Sequence, residues 1–193
     1  MTPERSDPLS LDEVRVGAAY DTERADSRRR VAELKRFRRV HLGDALALVF
    51  ENRDTIRSTL EEALRTEHVE DPAQVEDEIA AFSAVVPEPG DLAATLFLEV
   101  DDPADLNATL LRLDGAEDSV FIEVAGKRVR GVPEEVFPRG ESVLAHYLRF
   151  SLEPDQREAI LRGSPIAVGT DHPACATTVQ LDEEHRQAIA RDL

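Results

Sequence analysis

The sequence has a single cysteine, Cys175, and no long hydrophobic run. One cysteine excludes an internal disulfide, and it excludes a zinc or iron–sulfur site that takes several thiolates from this chain alone. No stretch approaches the ~20 apolar residues that a membrane-spanning helix needs, and the N-terminal residues lack the apolar run of a signal peptide. These absences predict a cytoplasmic protein with no membrane segment, in which Cys175 is a packing residue.

Recognised catalytic motifs are also lacking. The sequence contains no GxSxG motif, no phosphate-binding loop and no dinucleotide fingerprint, and its five histidines show neither HxxxH nor HExxH spacing. Hydrolase, kinase and Rossmann functions of the usual kinds therefore have no support, and whether the protein is an enzyme stays open. No iron–sulfur, haem or nucleotide motif is present, which leaves a divalent metal as the cofactor still open.

Lysine is scarce in a strongly acidic chain. Only Lys35 and Lys127 are lysines among 23 basic residues, and 40 acidic residues give a net charge of −17. Long-range repulsion between such a surface and phosphates makes general nucleic-acid binding an unfavourable hypothesis. The same arginine-rich, lysine-poor composition also fits a salt-adapted or GC-rich source.

The length and the order of local patterns predict the fold class. A chain of 193 residues with 41% apolar residues is long enough to fold as one domain. Residues 1–18 have the composition of a polar N-terminal arm, and residues 19–193 are predicted to form a single α+β domain. Because hairpins alternate irregularly with helices, we expect a mixed, mostly antiparallel sheet flanked by about six helices.

Helical periodicity and start signals mark three helices near the N-terminus. The first is predicted over residues 21–39, and the second over residues 54–67. The third starts at Asp71-Pro72, where an aspartate can cap the helix and a proline occupies its first position. The predicted buried residues of the first two helices are Val31, Leu34, Phe37, Ile56, Leu60 and Leu64.

Apolar runs and turn residues mark the strands. Residues 40–50 are predicted to form a hairpin that turns at Gly43-Asp44. The nearly continuous apolar run of residues 92–100 indicates a central strand. Further strand signals are a hairpin over residues 119–132 around Ala125-Gly126, strands at residues 143–152, 166–168 and 177–181, and a final helix capped by Asp182.

Five runs together resemble one uncharacterised bacterial family. They are RRVHLGDALALVFENRDT, LEEALRTE, LAATLFLEV, HYLRF and DHP, and they begin at residues 38, 60, 92, 146 and 171. The family is catalogued as domain of unknown function family 3501. Its members tend to be encoded beside rubrerythrin-like and iron–sulfur oxidoreductase proteins, so the resemblance implies a redox or peroxide-defence setting. The positions that it marks are Glu51, Asn52, Arg53, Glu62, Arg65, Glu67, Glu99 and His172.

Polar residues follow the strand that ends near residue 51. Glu51, Asn52 and Arg53 lie where a strand leads into a helix, a place where side chains often gather around a pocket. They could recognise an anion or a metal. Alternatively, Asn52 or Asp54 caps the helix and Arg53 pairs with a carboxylate.

The second helix carries charges at regular spacing. Arg57, Glu61 and Arg65 recur every four residues, which predicts a solvated ladder of surface ion pairs. Glu62 and Glu67 lie nearer the margins of the apolar face, so partial burial is expected for both.

Three residues further along the chain are also candidates for a functional site or for the core. Glu99 follows an apolar strand, so we expect it to be buried and either paired with Arg53 or Arg149 or bound to a metal. On that basis Glu99→Ala is predicted to be more disruptive than Glu61→Ala. His172 lies in a loop, where functional residues are common. His146 lies on an apolar strand face and is expected to be a hydrogen-bonded core histidine.

The first helix is the one strongly basic element. Residues 24–39 hold eight basic and two acidic residues, a net charge of +6 (8 − 2). Helical spacing predicts that five of the basic residues share an exposed face, namely Arg28, Arg29, Lys35, Arg36 and Arg39. That face could dock an acidic partner. Alternatively, the acidic stretch of residues 61–78 packs beside it and neutralises it internally.

Three functional hypotheses follow. The leading one is an accessory or binding protein of a cytoplasmic redox system, with a protein or small anionic partner. The alternative is a metal-binding protein or enzyme in which Glu51, Glu62, Glu99 and His172 converge in three dimensions. The weakest is anion or nucleic-acid binding through the first helix.

Overall fold

The computed structural model describes residues 8–100, 102–134 and 144–193. These residues form six α-helices and nine strands. The helices are α1 (Gly17–Arg36), α2 (Arg53–Thr66), α3 (Pro72–Ser83), α4 (Leu106–Arg112), α5 (Pro154–Leu161) and α6 (Glu183–Ala190). The strands are β1 (Arg39–His41), β2 (Leu46–Glu51), β3 (Asp91–Leu98), β4 (Val120–Val124), β5 (Lys127–Arg130), β6 (Val132–Pro133), β7 (Ala145–Ser151), β8 (Ile166–Thr170) and β9 (Thr177–Gln180).

The strands form two antiparallel sheets. The five-stranded sheet has the order β1-β2-β3-β7-β6, and the four-stranded sheet has the order β5-β4-β8-β9. All the strand pairs are antiparallel. The α+β class and the helix number predicted from the sequence are confirmed, and the strands are divided between two sheets. Within the described ranges, no helix has the length and apolarity needed to cross a bilayer.

Two hydrophobic cores lie on opposite faces of the five-stranded sheet. The larger core joins Leu48 and Phe50 of β2 to Ile122 and Val168 of the four-stranded sheet. The smaller core contains Ile56 and Leu60 of α2, Val75 and Phe82 of α3, and half-buried Tyr147 of β7. Because Tyr147 and Leu148 are neighbours in a strand, their side chains point to opposite faces. The sheet is therefore covered on both sides, by strands on one and by helices on the other.

Local signals explain several boundaries. The predicted start of α3 is confirmed, because the Asp71 side chain accepts hydrogen bonds from the backbone N–H groups of Ala73 and Gln74 at 3.1 and 3.2 Å. The predicted hairpin at residues 125–126 is also confirmed. Ala125 and Gly126 both have positive φ, at 51° and 76°, as a two-residue turn of this kind requires.

The first helix differs from its predicted span. It runs over Gly17–Arg36, so that Arg39 belongs to β1 and not to the helix. Its fully buried residues are Tyr20 and Ser27, whereas the three expected core residues, Val31, Leu34 and Phe37, are only partly buried. The helix packs on α2 largely through polar side chains. A prediction based on the spacing of apolar residues therefore assigns the wrong buried face.

The segment before α1 contributes to the smaller core. Leu9 and Val14 are 3% and 7% exposed and pack with the apolar residues of α2 and α3. Residues 1–7 of the predicted polar arm lie outside the described residues, as does Val143 at the start of the predicted strand 143–152.

Candidate functional site

The two residues that follow β2, Asn52 and Arg53, both bind groups within the molecule. The Asn52 side chain accepts a hydrogen bond from Thr55 N–H at 3.1 Å, and Asn52 N–H donates to Thr55 Oγ1 at 2.8 Å. Asn52 is thus the cap of α2. Arg53 Nη2 lies 2.7 Å from Glu13 Oε2 and donates to the carbonyl of Pro8. For Asn52 and Arg53 the structure therefore favours capping and pairing over ligand recognition.

Glu51 is a buried carboxylate at the end of β2. It is 3% exposed, and its Oε1 atom accepts a hydrogen bond from Thr95 Oγ1 at 2.8 Å. Lys35 Nζ lies 3.8 Å from the same oxygen. The other oxygen, Oε2, has no hydrogen-bond partner among the described residues. Burial, followed by the negative charge of Glu51, raises the pKa of the Tyr147 phenol above its usual value.

Glu62 joins α2 to α1. Both of its oxygens accept hydrogen bonds at 2.9 Å from Arg24, through Nε and Nη2, and Tyr20 Oη donates to Oε1 at 2.8 Å. The Arg24 hydrogen bonds, which outweigh the opposing effect of burial, lower the pKa of Glu62. Partial burial of Glu62 is confirmed, since 31% of its side chain is exposed. It is a paired residue that holds two helices together.

Glu61 was expected in a solvated ladder, and that expectation is wrong. Its side chain is fully buried and binds Arg15, which donates from Nε at 2.9 Å and from Nη2 at 2.7 Å. The other two ladder residues do form surface pairs, Arg57 with Asp54 and Arg65 with Asp21. Nothing in the periodicity of α2 marks Glu61, because its partner comes from the segment before α1.

Glu67 and Glu99 are more exposed than expected. Glu67 is exposed at the C-terminal end of α2. Glu99 lies just after the last residue of β3, its side chain is 40% exposed, and it pairs with Arg39 and lies 3.7 Å from His41 Nδ1. The expected pairing with Arg53 or Arg149 is also wrong, since Arg149 binds Glu134. The strand ends before Glu99, so the burial of β3 does not extend to it.

The four residues of the metal-site hypothesis do not come together. Glu51 pairs with Ala93 and Glu99 donates its N–H to Ala45, so the two glutamates lie at opposite ends of the β2–β3 ladder. At ~3.3 Å per residue they are about 20 Å apart along the sheet. His172 follows β8 in the other sheet, and its Nε2 lies 3.1 Å from the Asp114 carbonyl oxygen. Within the described ranges, no group of three or more His, Cys, Asp or Glu residues could hold a metal ion.

A buried ion pair that the sequence did not indicate joins the residue before β1 to the C-terminal residues. Arg38 is 2% exposed and binds Asp192 through Nη1 at 2.5 Å and Nη2 at 2.9 Å. Its Nη2 also donates to the Ala188 carbonyl at 3.0 Å. Asn52 Nδ2 lies 3.4 Å from Asp192 Oδ1, which links this pair to the start of α2.

The predicted basic face divides into paired and exposed residues. Lys35 and Arg39 are half-buried and lie beside Glu51 and Glu99. Arg28, Arg29 and Arg36 are exposed. We refer to these three exposed residues as the arginine face.

The chain is similar to a protein of known structure. A crystal structure of a novel protein of unknown function from Burkholderia pseudomallei K96243 superposes with a TM-score of 0.89 and 31% sequence identity, over 97% of this chain and 100% of that one. The comparison with curated proteins returned no match. The model of one family matches residues 8–193. The chain therefore belongs to that family, which is described as protein of unknown function DUF3501.

Proposed function

We propose that the protein is an accessory binding protein that docks an acidic protein partner through the arginine face of α1. One observation carries this proposal. The carboxylates of α2 that face α1 are already bound by other arginines, Glu61 by Arg15 and Glu62 by Arg24. The arginine face is thus left in solvent.

The ion pairs of the basic segment show which charges are neutralised within the molecule. Arg24, Lys35, Arg38 and Arg39 each lie beside a carboxylate distant in sequence. In the arginine face, the described residues supply one ion pair, a local one between Arg29 and Asp26, and both side chains are highly exposed, at 80% and 66%. Exposed pairs of this kind contribute only about 0–1 kcal/mol and are readily exchanged for a partner's carboxylate.

The three arginines also share one side of the helix. At about 100° per residue, Arg28, Arg29 and Arg36 lie within an arc of about 100°. That arc points away from Tyr20 and Ser27, the residues by which α1 is buried. Because the whole chain has a net charge of −17, a local basic patch orients the molecule in the field of an acidic partner and accelerates productive encounter.

The family resemblance supports the choice of partner class. Its members tend to be encoded beside rubrerythrin-like and iron–sulfur oxidoreductase proteins, so the partner that we propose is an acidic protein of such a redox or peroxide-defence system. In this proposal the protein acts in the cytoplasm.

Charge reversal tests the proposal. A triple variant, Arg28→Glu with Arg29→Glu and Arg36→Glu, is compared with a control of equal charge change, Arg112→Glu with Arg162→Glu and Arg191→Glu, all at exposed positions. Binding to purified rubrerythrin-like and iron–sulfur oxidoreductase proteins is measured at low and high salt, together with the melting temperature. We expect the arginine-face variant to lose salt-sensitive binding and keep its melting temperature, while the control binds.

Two results would contradict the proposal. Equal binding by both triple variants would show that only the total charge matters. Salt-sensitive retention of duplex DNA by the natural protein, lost in the arginine-face variant while no redox protein binds, would instead assign the face to nucleic acid.

A further inference from the structure

A cavity of about 120 Å³ opens between the inner face of the five-stranded sheet and the segment that joins α4 to β4. The sheet contributes leucines from two strands, Leu46 of β2 with Leu96 and Leu98 of β3. Leu46 is paired with Leu98 and Leu96 with His146 of β7, so these side chains share one face of the sheet. Leu110 and Leu113 line the opposite wall, so leucines contribute to both walls of the cavity.

Three polar residues line the same cavity, namely Asp114, Glu117 and His146. None of the three forms a side-chain hydrogen bond or ion pair with a described residue. The prediction that His146 is a hydrogen-bonded core histidine is therefore wrong, since the residue is half-buried and lines the cavity without such a bond. By contrast, Glu61 and Asp192, two other acidic residues near the core, are bound by arginines.

The local backbone explains how two acidic residues come to line the cavity. Gly115 has a φ of +78°, in the left-handed region that glycine adopts without strain. It allows the chain to turn from the end of α4 into a short 3₁₀ turn, Ala116–Ser119. Leu113 and Ala116 are 4% and 3% exposed and anchor this turn in the larger core. Asp114 and Glu117 are thereby held at the cavity.

We infer that this cavity binds a small organic cation with a compact apolar body, such as an alkyl or aryl amine. Its volume approaches that of an apolar protein cavity of about 150 Å³ that holds benzene, so it suits one small ring or a short branched chain. An ammonium group at the edge of the leucine-lined space lies beside Asp114 and Glu117, where low polarity on one side strengthens charge pairing. The same two charges exclude a carboxylate ligand of equal shape.

Three probes of similar shape and different charge test this inference. Benzylamine, toluene and benzoate are titrated into the full chain, and amide chemical shifts are followed by NMR spectroscopy. We expect saturable binding of benzylamine with shifts centred on Leu96, Leu113 and Glu117. Benzoate should bind at least tenfold more weakly, which corresponds to about 1.4 kcal/mol.

Matched variants separate the charge effect from the cavity. Asp114→Asn with Glu117→Gln should raise the benzylamine Kd about tenfold, as expected for charge pairs near a protein surface. Asp118→Asn is the control, because Asp118 is exposed in the same 3₁₀ turn and does not line the cavity. Leu110→Phe, at a half-buried position, should fill the cavity and abolish benzylamine binding without lowering the melting temperature.

The inference is overturned by any of three results. Benzoate and benzylamine could bind equally well, which would remove the role of the carboxylates. Asp118→Asn could weaken benzylamine as much as the double variant does, which would leave only a general charge effect. Finally, benzylamine could show no saturable binding at millimolar concentrations while the natural protein is folded.

Discussion

Arg15 binds Glu61 with its backbone as well as its side chain, since the backbone N–H of Arg15 donates to Glu61 Oε1 at 3.1 Å. Its Nη1 atom also binds Glu23 at 2.6 Å, and Nη2 lies 3.3 Å from Ser27 Oγ. One arginine thus joins the segment before α1, the helix α1 and the helix α2. The contact replaces the apolar packing that α1 largely lacks.

We therefore predict that Glu61→Ala is strongly destabilising. Removal of one partner of a buried pair typically costs about 3–5 kcal/mol, and Arg15 would keep only its ion pair with the exposed Glu23. Glu99→Ala serves as the control, since that side chain is 40% exposed and an exposed pair contributes only about 0–1 kcal/mol. Urea unfolding of both variants measures the difference. This ranking is the reverse of the one that the sequence predicts, and equal free energies of unfolding would refute it.

The Arg38–Asp192 pair should also be important for stability. Asp192→Leu leaves the Arg38 charge buried, so a loss of about 3 kcal/mol is expected. Adding Arg38→Met to Asp192→Leu should recover part of this loss, because an apolar pair replaces an ionic one. A double-mutant cycle in urea measures the coupling, with exposed Arg191→Ala as the control. A coupling energy near zero would show that the two residues act independently.

Glu13 gives a prediction in acid. Its hydrogen bonds with Arg53, and then those with Ser10, lower its pKa from 4.5 to about 2. The pKa is depressed in the folded state, so the stabilisation is fully present above pH 4.5 and is lost as the pH falls through about 2. In Arg53→Gln the pKa of Glu13 should rise towards 4.5, as measured by NMR titration of the carboxyl group.

The stability of this variant provides a second measurement. The difference in unfolding free energy between the natural protein and Arg53→Gln should shrink as the pH falls from 4.5 to about 2. Arg57→Gln, on the same helix but paired with Asp54, should leave the Glu13 titration unchanged. A Glu13 pKa that stays near 2 in Arg53→Gln would contradict the assignment.

Cys175 should react slowly in the folded protein. Burial raises the pKa of its thiol, against a smaller opposing effect of the Thr170 hydrogen bond. At pH 8 less of the nucleophilic thiolate is then present than in the unfolded chain. Alkylation by iodoacetamide should be slower in buffer than in urea. Equal rates in the two solvents would show a freely accessible thiol with an ordinary pKa.

Local signals in the sequence predicted much of the fold. The start of α3 depends on Asp71 and Pro72 alone, and both act as expected. The hairpin turn at Ala125-Gly126 likewise needs only neighbouring residues. Pairing between distant segments is different, because β4 bonds to β8, more than 40 residues later, and nothing in either strand specifies that register.

The candidate site was predicted less well, because charge burial depends on contacts between segments. Glu61 and Glu99 exchanged their expected environments, one through Arg15 and the other through the early end of β3. The cavity unites His146 with Asp114 and Glu117 from a separate part of the chain. Of these three residues, the sequence singles out only His146, which it predicts to be a core residue. The apolar residues around His146 in the sequence correctly predict that it lies on the inner face of the sheet, but they do not predict whether its side chain is hydrogen-bonded.

The lengths of the strands bear on how the protein avoids aggregation. In the described part of both sheets, each edge strand has at most four residues, whereas each interior strand has at least five. The edge strand β5 has the sequence KRVR, and the edge strand β6 ends in Pro133, which cannot donate a backbone hydrogen bond. A short, charged or proline-containing edge is a poor template for a further strand. Newly made chains crowded together therefore find little open backbone on a folded neighbour to which they could add.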